Sequence, residues 1–168
     1  KGVGGGSSRY VVGDNELYQS LERSIAAYAG FNASLVFGSG YLANIGVIPC
    51  LMGKNDLIIA DKLIHRCLLD GIKLSNAKLI RYNHNDTKHL QEIISKNRQD
   101  YQNCLVISET IFSMDGDQAP IDQLIGLCRQ YSSWLLIDDA HGIGKKLNID
   151  SDFKKSSYIH MGTLSKAI

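Results

Sequence analysis

The sequence lacks an excess of either charge, a long apolar run and a secretory leader. Lys plus Arg number 18 and Asp plus Glu number 17, so the formal net charge is +1 and no nucleic-acid partner is expected. No apolar stretch approaches the roughly 20 residues that a membrane helix needs, so no membrane contact is expected. With 44% hydrophobic and 21% charged residues, the 168-residue chain has the composition of a globular protein with a substantial core.

The sequence has few cysteines, and their spacing matches no common disulfide or metal-binding motif. The four cysteines, Cys50, Cys67, Cys104 and Cys128, form no C-x-x-C pair, and each lies among apolar residues. We expect buried free thiols in a reducing compartment, with the cytoplasm as the default location. A disulfide or a metal site is the alternative.

Neither end of the chain resembles a natural domain boundary. The first residue is Lys1 rather than Met, a glycine-rich loop follows over residues 2–8, and Ile168 ends the sequence inside an apolar pattern. We therefore expect a piece of a longer chain, with part of its function carried elsewhere.

Apolar periodicity predicts helices and strands in alternation. Helices are predicted over 15–29, 41–52, 62–75, 86–97 and 120–131, and strands over 35–37, 57–60, 78–82, 105–107, 134–137 and 158–162. The strands are short, mostly apolar and not alternating in polarity, which is typical of a parallel sheet covered by helices. The predicted fold class is α/β, with residues 1–168 forming part of one domain. Ligands of such sheets bind at the carboxyl ends of the strands.

A glycine-rich turn precedes the second helix. Gly38-Ser39-Gly40-Tyr41-Leu42-Ala43 matches G-x-G-x-x-A, and Asp61 follows 21 residues after Gly40 at another strand end. This pattern is found in dinucleotide sites. Free amides at a helix N-terminus bind any phosphate, so the segment indicates phosphate more firmly than it indicates NAD. A plain tight turn is the alternative.

Two further strand ends and the start of one helix carry side chains that suit pyridoxal phosphate. Asp138 follows an apolar strand and could hold a protonated ring nitrogen, with His141 close enough in sequence to reach the same ring. A lysine such as Lys166, desolvated beside the last strand, can form a Schiff base with a carbonyl cofactor. His65, early in a helix, could stack on the ring. Taken singly, each has a structural or solvated alternative.

Taken together, these strand-end residues distinguish pyridoxal phosphate from a dinucleotide as the cofactor. No metal-binding pattern and no G-x-S-x-G elbow is present, so no metal site is predicted. A dinucleotide site would leave Lys166 and Asp138 without a role. Pyridoxal 5'-phosphate is therefore the predicted cofactor.

Six motifs in register resemble those of the α-oxoamine synthases, which are fold-type I pyridoxal phosphate enzymes. The resemblance covers essentially the whole sequence, as part of the large cofactor-binding domain without its N-terminal segment and C-terminal small domain. The motifs are Gly40–Asn44, His65–Gly71, His84–Asp86, Glu109–Asp117, Asp138–Gly142 and Thr163–Ala167.

The resemblance implies a role for each ring-contacting residue. Lys166 would hold the cofactor as a Schiff base and later move the α-proton of the substrate. Asp138 would pair with the pyridine nitrogen, and His141 and Ser113 would reach the phenolic oxygen. His65 would stack on the ring and touch the substrate.

The resemblance also implies a phosphate site and a substrate entrance. Backbone groups of Gly40 and Tyr41, with the Thr163 hydroxyl, would bind the cofactor or its phosphate. Arg9 and the glycine-rich loop would lie near the substrate entrance.

The implied reaction is the decarboxylative condensation of an amino acid with an acyl-CoA. Members that serve biotin synthesis match best, which implies L-alanine and a pimeloyl thioester as substrates. Glycine C-acetyltransferase and 5-aminolevulinate synthase are sister alternatives, and Tyr18 stands where members often have histidine. A homodimer is implied, and the 168-residue stretch alone is expected to be inactive. A nucleotide-binding oxidoreductase and a non-catalytic scaffold subunit are the alternatives from other classes.

Overall fold

The computed structural model describes residues 4–144, 149 and 151–166. The chain divides into two compact units, Lys1–Phe37 and Gly38–Ile168. Two parts of the sequence-based predictions, the start of the glycine-rich loop at residues 2–3 and the end of the last motif at Ala167, lie outside the described residues. No helix in the described ranges is both long enough and apolar enough to cross a membrane.

The first unit contains a π-helical turn, Arg9–Gly13, followed by helix α1, Glu16–Ala29. The Asn15 side chain caps α1 by accepting the Leu17 N–H at 2.9 Å. Gly30 ends the helix in the left-handed conformation, with φ of 68°, which glycine adopts without a Cβ clash.

The predicted strand at 35–37 is wrong. That segment has no regular structure, because the Val36 N–H is bound by the Glu22 carboxylate at 2.9 Å. The same carboxylate is held by Arg9, with a shortest N–O distance of 2.6 Å. A side-chain acceptor has taken the place that a neighbouring strand would fill.

The second unit alternates helices with strands, as predicted. Its elements in chain order are α2 (Gly40–Leu51), β1 (Leu57–Asp61), α3 (Arg66–Ser75), β2 (Lys78–Tyr82), α4 (Thr87–Asn97), β3 (Cys104–Glu109), α5 (Ile121–Gln130), β4 (Trp134–Asp138), α6 (Ser151–Ser156) and β5 (Tyr158–Met161).

The five strands form one parallel sheet in the order β2-β1-β3-β4-β5. Every residue of β1 and β3 is buried, so both faces of these central strands are covered. This arrangement confirms the predicted α/β class with a helix-covered parallel sheet, and the apolar runs of the central strands β1 and β3 follow from burial on both faces.

Several details differ from the sequence-based expectation. Helix α3 begins at Arg66 instead of residue 62, because the Asp61 carboxylate accepts the Leu63 N–H at 2.8 Å and holds a turn there. The short helix α6 was not predicted. Cys50 is exposed rather than buried, whereas Cys67, Cys104 and Cys128 are buried free thiols as expected.

Helices α2 and α3 pack closely at Gly71. A Cβ on Gly71 would lie 2.6 Å from the backbone oxygen of Asn44 and 3.0 Å from Ile48 Cδ1. Since backbone cannot yield as a side-chain tip can, glycine is required for this helix contact.

We expect Gly71→Ala to destabilise the full-length protein by about 1–3 kcal/mol, the usual cost of overpacking. Gly126→Ala is the matched control, because in the described part of the chain no atom beyond the local backbone of α5 lies within 4 Å of the added Cβ, and it should stabilise by about 0.5–1 kcal/mol. Urea denaturation measures both. Equal effects of the two substitutions would contradict the close helix contact.

Candidate active site

The candidate site lies where the parallel strands end at one edge of the sheet. Glu109 and Asp138 are register partners at the ends of β3 and β4, and Asp138 is the partner of Met161 at the end of β5. The segment with Thr163 and Lys166 follows directly after β5. Because the carboxyl ends of parallel strands meet at one edge of the sheet, side chains that are far apart in the sequence lie close together here.

Asp138 is a buried carboxylate without a cationic partner among the described residues. It is 4% exposed, and it accepts the Ala140 N–H at 3.0 Å and the Asn44 side-chain amide at 2.9 Å. Burial raises its pKa, although these two hydrogen bonds and the positive charge of Lys166 oppose the shift. A cation placed against Asp138 would relieve the cost of its burial.

Asn44 is a site residue for which sequence reasoning gave no role. It is 1% exposed in α2, and its amide nitrogen donates to both Asp138 and Cys67 Sγ, the latter at 3.2 Å. Its Oδ1 is buried and has no hydrogen-bond partner among residues 4–144, 149 and 151–166. The signals in the sequence were its place at the end of the motif Gly40–Asn44 and an amide inside an otherwise apolar helix.

Lys166 and His141 are brought together across 25 residues. Lys166 Nζ lies 3.0 Å from His141 Nε2, and the Lys166 side chain is exposed at the edge of the sheet. The Thr163 hydroxyl donates to the Ala140 carbonyl at 3.2 Å, which ties the segment after β5 to the segment after β4. An amine and an imidazole therefore lie next to the buried carboxylate.

The N-terminus of α2 faces the same segment. The Ser39 hydroxyl caps the helix by accepting the Leu42 N–H at 3.1 Å. A Cβ on Gly40 would lie 2.8 Å from Thr163 Cγ2, so glycine permits the close approach. The Tyr41 hydroxyl is instead directed to Asp70, at 3.2 Å, which leaves the backbone amides as the groups for an anion.

His65 caps α3 and presents an exposed ring. Its Nδ1 accepts the Cys67 N–H at 3.2 Å and lies 2.9 Å from Cys67 Sγ. Its backbone N–H donates to Glu109 Oε1 at 2.5 Å. Both contacts fix the position of the ring at the start of the helix, beside the strand ends.

Glu109 is a second site residue that received no role from the sequence. Burial and the charges of Asp138 and Asp61 raise its pKa to about 7, against the lowering effects of the His65 N–H and Lys166. The folded protein therefore retains a proton that the unfolded chain releases at a lower pH.

We expect the full-length protein without cofactor to lose stability between about pH 4.5 and pH 7 through Glu109. The sign follows because the folded state binds the proton more tightly, so deprotonation favours unfolding. Relative to Glu109→Gln, which cannot ionise, the loss should reach about 2 kcal/mol after allowance for solvent screening. Urea midpoints of both proteins across this pH range measure it, and parallel pH profiles would contradict it.

A further network lies behind Asp138. Asp139 is 1% exposed, accepts a hydrogen bond from the Thr110 hydroxyl, and lies 2.9 Å from His160 Nε2. These contacts join β3, β4 and β5 immediately beyond Asp138. They hold the backbone on which Asp138 and His141 are placed.

Three sequence-based candidates lie outside this group of contacts. Ser113 is exposed in the turn after β3 and has no hydrogen bond among the described residues. Arg9 belongs to the first unit and is paired with Glu22 and Asp14. Asp61 is fully buried and bound to the backbone at Leu63 and to the next turn, so it is not free for a ribose hydroxyl.

The assembled groups are suited to a cationic heteroaromatic ligand with a phosphate. The Asp138 carboxylate is buried with no cationic partner among the described residues, and the backbone amides at the start of α2 suit an anion. The Lys166 amine and the imidazoles of His65 and His141 lie at the same edge of the sheet. An amine beside a histidine can form a covalent bond to a carbonyl and transfer protons.

Comparison with protein families gives one assignment over almost the whole sequence. Residues 3–168 match the model of the family described as aminotransferase class I and II. Among curated proteins, the 8-amino-7-oxononanoate synthase of Methylobacterium nodulans is 44% identical over 167 residues, covering 99% of this chain and 43% of that protein. The chain thus spans less than half the length of this relative.

Solved structures agree in fold. An 8-amino-7-oxononanoate synthase from Francisella tularensis superposes with a TM-score of 0.74 and 31% identity, over 92% of this chain and 45% of that chain. A serine palmitoyltransferase from S. paucimobilis with a bound PLP–myriocin aldimine gives a TM-score of 0.87 and 27% identity, over 98% of this chain and 44% of that chain. Both likenesses extend across nearly all of the sequence.

Proposed function

The chain belongs to the aminotransferase class I and II family, and from this premise we propose that it is part of a pyridoxal 5'-phosphate-dependent acyltransferase. Residues 1–168 would form part of one cofactor-binding large domain. Its substrates would be an amino acid and an acyl-CoA, joined with loss of carbon dioxide.

The residues present fit this cofactor. Asp138 is buried with no cationic partner among the described residues, and a protonated pyridine nitrogen would lower its raised pKa. Asn44 Oδ1, which has no hydrogen-bond partner in the described part of the chain, offers a further polar contact beside Asp138. The buried Asp138 carboxylate without a described cationic partner is the observation that carries the proposal.

When bound, pyridoxal phosphate supplies an electron sink for a carbanion at the α-carbon of the amino acid. Asp138 would keep the ring nitrogen protonated, and Asn44 would orient that carboxylate. Lys166 would hold the cofactor and would be the base for the α-proton of the amino acid. His141, which lies next to Lys166, would contact the phenolic oxygen together with Ser113.

The remaining roles are binding roles. His65 would stack on the ring, from a position fixed by Glu109 and Cys67. Backbone groups of Gly40 and Tyr41, with the Thr163 hydroxyl, would bind the phosphate end. The positive end of the α2 dipole favours an anion at this point.

We propose L-alanine and a pimeloyl thioester as the substrates, which yields 8-amino-7-oxononanoate for biotin synthesis. The 44% identity to the Methylobacterium nodulans synthase supports this choice over the sister reactions. A homodimer is proposed with it, and a cytoplasmic location stays a prediction from the sequence.

The test uses the full-length parent protein. Pyridoxal phosphate is added, the visible spectrum is recorded, and the protein is reduced with borohydride and mapped by mass spectrometry. A Schiff-base absorption band and a reduced adduct on Lys166 are expected. Release of CoA is then compared among L-alanine with pimeloyl-CoA, glycine with acetyl-CoA and glycine with succinyl-CoA. An adduct on another lysine, or none, would overturn the cofactor assignment, and preference for a glycine pair would overturn the substrate assignment.

A further inference from the structure

His84 lies between two carboxylates that belong to different parts of the sheet edge. Its Nδ1 is 2.9 Å from Asp61 Oδ1, and its Nε2 is 2.7 Å from Asp117 Oδ2. Ionised carboxylates only accept hydrogen bonds, so both ring nitrogens must carry a proton to satisfy both contacts. The ring also packs edge-on against Phe112, with centroids 4.4 Å apart. This geometry is that of an imidazolium held by two anions.

Asn85 repeats the same connection. Its backbone N–H donates to Asp61 Oδ2 at 2.9 Å, and its side-chain amide donates to Asp117 Oδ2 at 2.6 Å. The residue is left-handed, with φ of 55°, a conformation that asparagine tolerates better than most residues. Two consecutive residues after β2 therefore join Asp61 to Asp117.

Asp117 belongs to a small hairpin that follows β3. Ile111 pairs with Gln118, and the Phe112 N–H donates to the Asp117 carbonyl at 3.0 Å. The tip of this hairpin is exposed and carries Ser113. Phe112 is buried beneath it, so the hairpin is attached to the sheet edge by Phe112 and by the contacts of Asp117.

We propose that His84 is a positioning residue, whose imidazolium clasps Asp117 to Asp61 and thereby fixes the hairpin Ile111–Gln118. The consequence for the reaction rests on the proposed function, in which Ser113 reaches the phenolic oxygen of the cofactor. His84 itself touches no reacting group. By fixing the hairpin, it determines the position of Ser113.

The clasp depends on pH in a defined direction. Burial alone would lower the pKa of His84, but the hydrogen bonds and charges of Asp61 and Asp117 outweigh burial and raise it. Asp115, whose carboxylate lies within 4.8 Å of the ring and of Asp117, adds a third negative group, and Phe112 adds none. The clasp is therefore complete below the unfolded pKa of about 6.5 and is lost as pH rises through the higher folded value.

The first test needs no cofactor. In the full-length apo-protein, NMR titration of His84 should give a pKa above the ordinary histidine value. His84→Gln should speed amide hydrogen exchange in residues 112–117 by about 10-fold at a pH below that value, because a charge-assisted hydrogen bond is lost. His89→Gln is the matched control, since His89 accepts the Asn83 N–H and touches neither carboxylate. It should leave exchange in the hairpin unchanged.

A second variant guards against misfolding. Asp117→Asn keeps the shape and one acceptor but removes the charge, so it should lower the His84 pKa and loosen the same amides. In the loaded enzyme, both variants should shift the pH dependence of the cofactor absorption band, whereas His89→Gln should not.

An ordinary or lowered His84 pKa, or wild-type exchange in both variants, would overturn the proposal. Absence of an adduct on Lys166 would instead remove the proposed function and leave the apo-protein results readable.

Discussion

Replacing Lys166 with alanine in the full-length protein should reduce turnover by at least about 10³-fold, because covalent attachment and proton transfer are both lost. Lys166 is hydrogen-bonded to His141 at 3.0 Å, but its side chain is exposed, so the substitution removes little packing. Lys73→Ala is the matched control, since Lys73 is exposed on α3 away from the strand ends. The control should keep wild-type turnover.

The Lys166 prediction also separates missing chemistry from damaged structure. An added small primary amine such as methylamine should restore part of the turnover in Lys166→Ala, because it supplies the group that was removed. It should do nothing for wild type or for Lys73→Ala. Retained turnover in Lys166→Ala without any added amine would show that another residue performs the proton transfer.

The fold was predictable where local sequence and burial agree. The apolar runs ending at Asp61 and Asp138 identified β1 and β4, since few alternatives exist for a short, wholly apolar segment between helices. The strand predicted at 35–37 failed for a non-local reason. The acceptor of the Val36 N–H is the side chain of Glu22, 14 residues earlier, and no propensity argument contains that partner.

Some residues of the candidate site could be predicted from the sequence, and others could not. Asp138 and Lys166 could be placed together because parallel strands end at one edge, so position along the chain translates directly into position in space. Asn44 could not, because its partner Asp138 lies 94 residues away and a lone amide in an apolar helix gives no direction. Glu109 likewise appeared in the sequence only as the first residue of a motif, without a role of its own. Its altered pKa depends on Asp138 and Asp61, which three-dimensional packing brings near.

Asp138→Asn is the second substitution with a large expected effect. It should lower turnover, but it should also remove the destabilising effect of a buried charge in the apo-protein. Turnover of the full-length protein should fall by about 10²–10³-fold, the usual cost of removing one preorganised electrostatic group. Asp139→Asn is the matched control, because Asp139 is equally buried but bound to Thr110 and His160. Its effect on turnover should be smaller.

In the apo-protein, by contrast, Asp138→Asn should remove a loss of stability that wild type shows as pH rises. Burial raises the Asp138 pKa in the folded state, so wild type loses stability as pH rises from the ordinary aspartate value through the folded one. Asp138→Asn carries no charge and should lose that dependence. Binding of a pyridinium would remove this loss of stability in wild type, because an ionised Asp138 then has a cationic partner.

The protonation of the cofactor ring tests this pairing directly. The ring nitrogen of ¹⁵N-labelled pyridoxal phosphate should be protonated in wild type and should lose its proton in Asp138→Asn. A protonated ring nitrogen in the variant, together with wild-type turnover, would assign the buried carboxylate to structure alone.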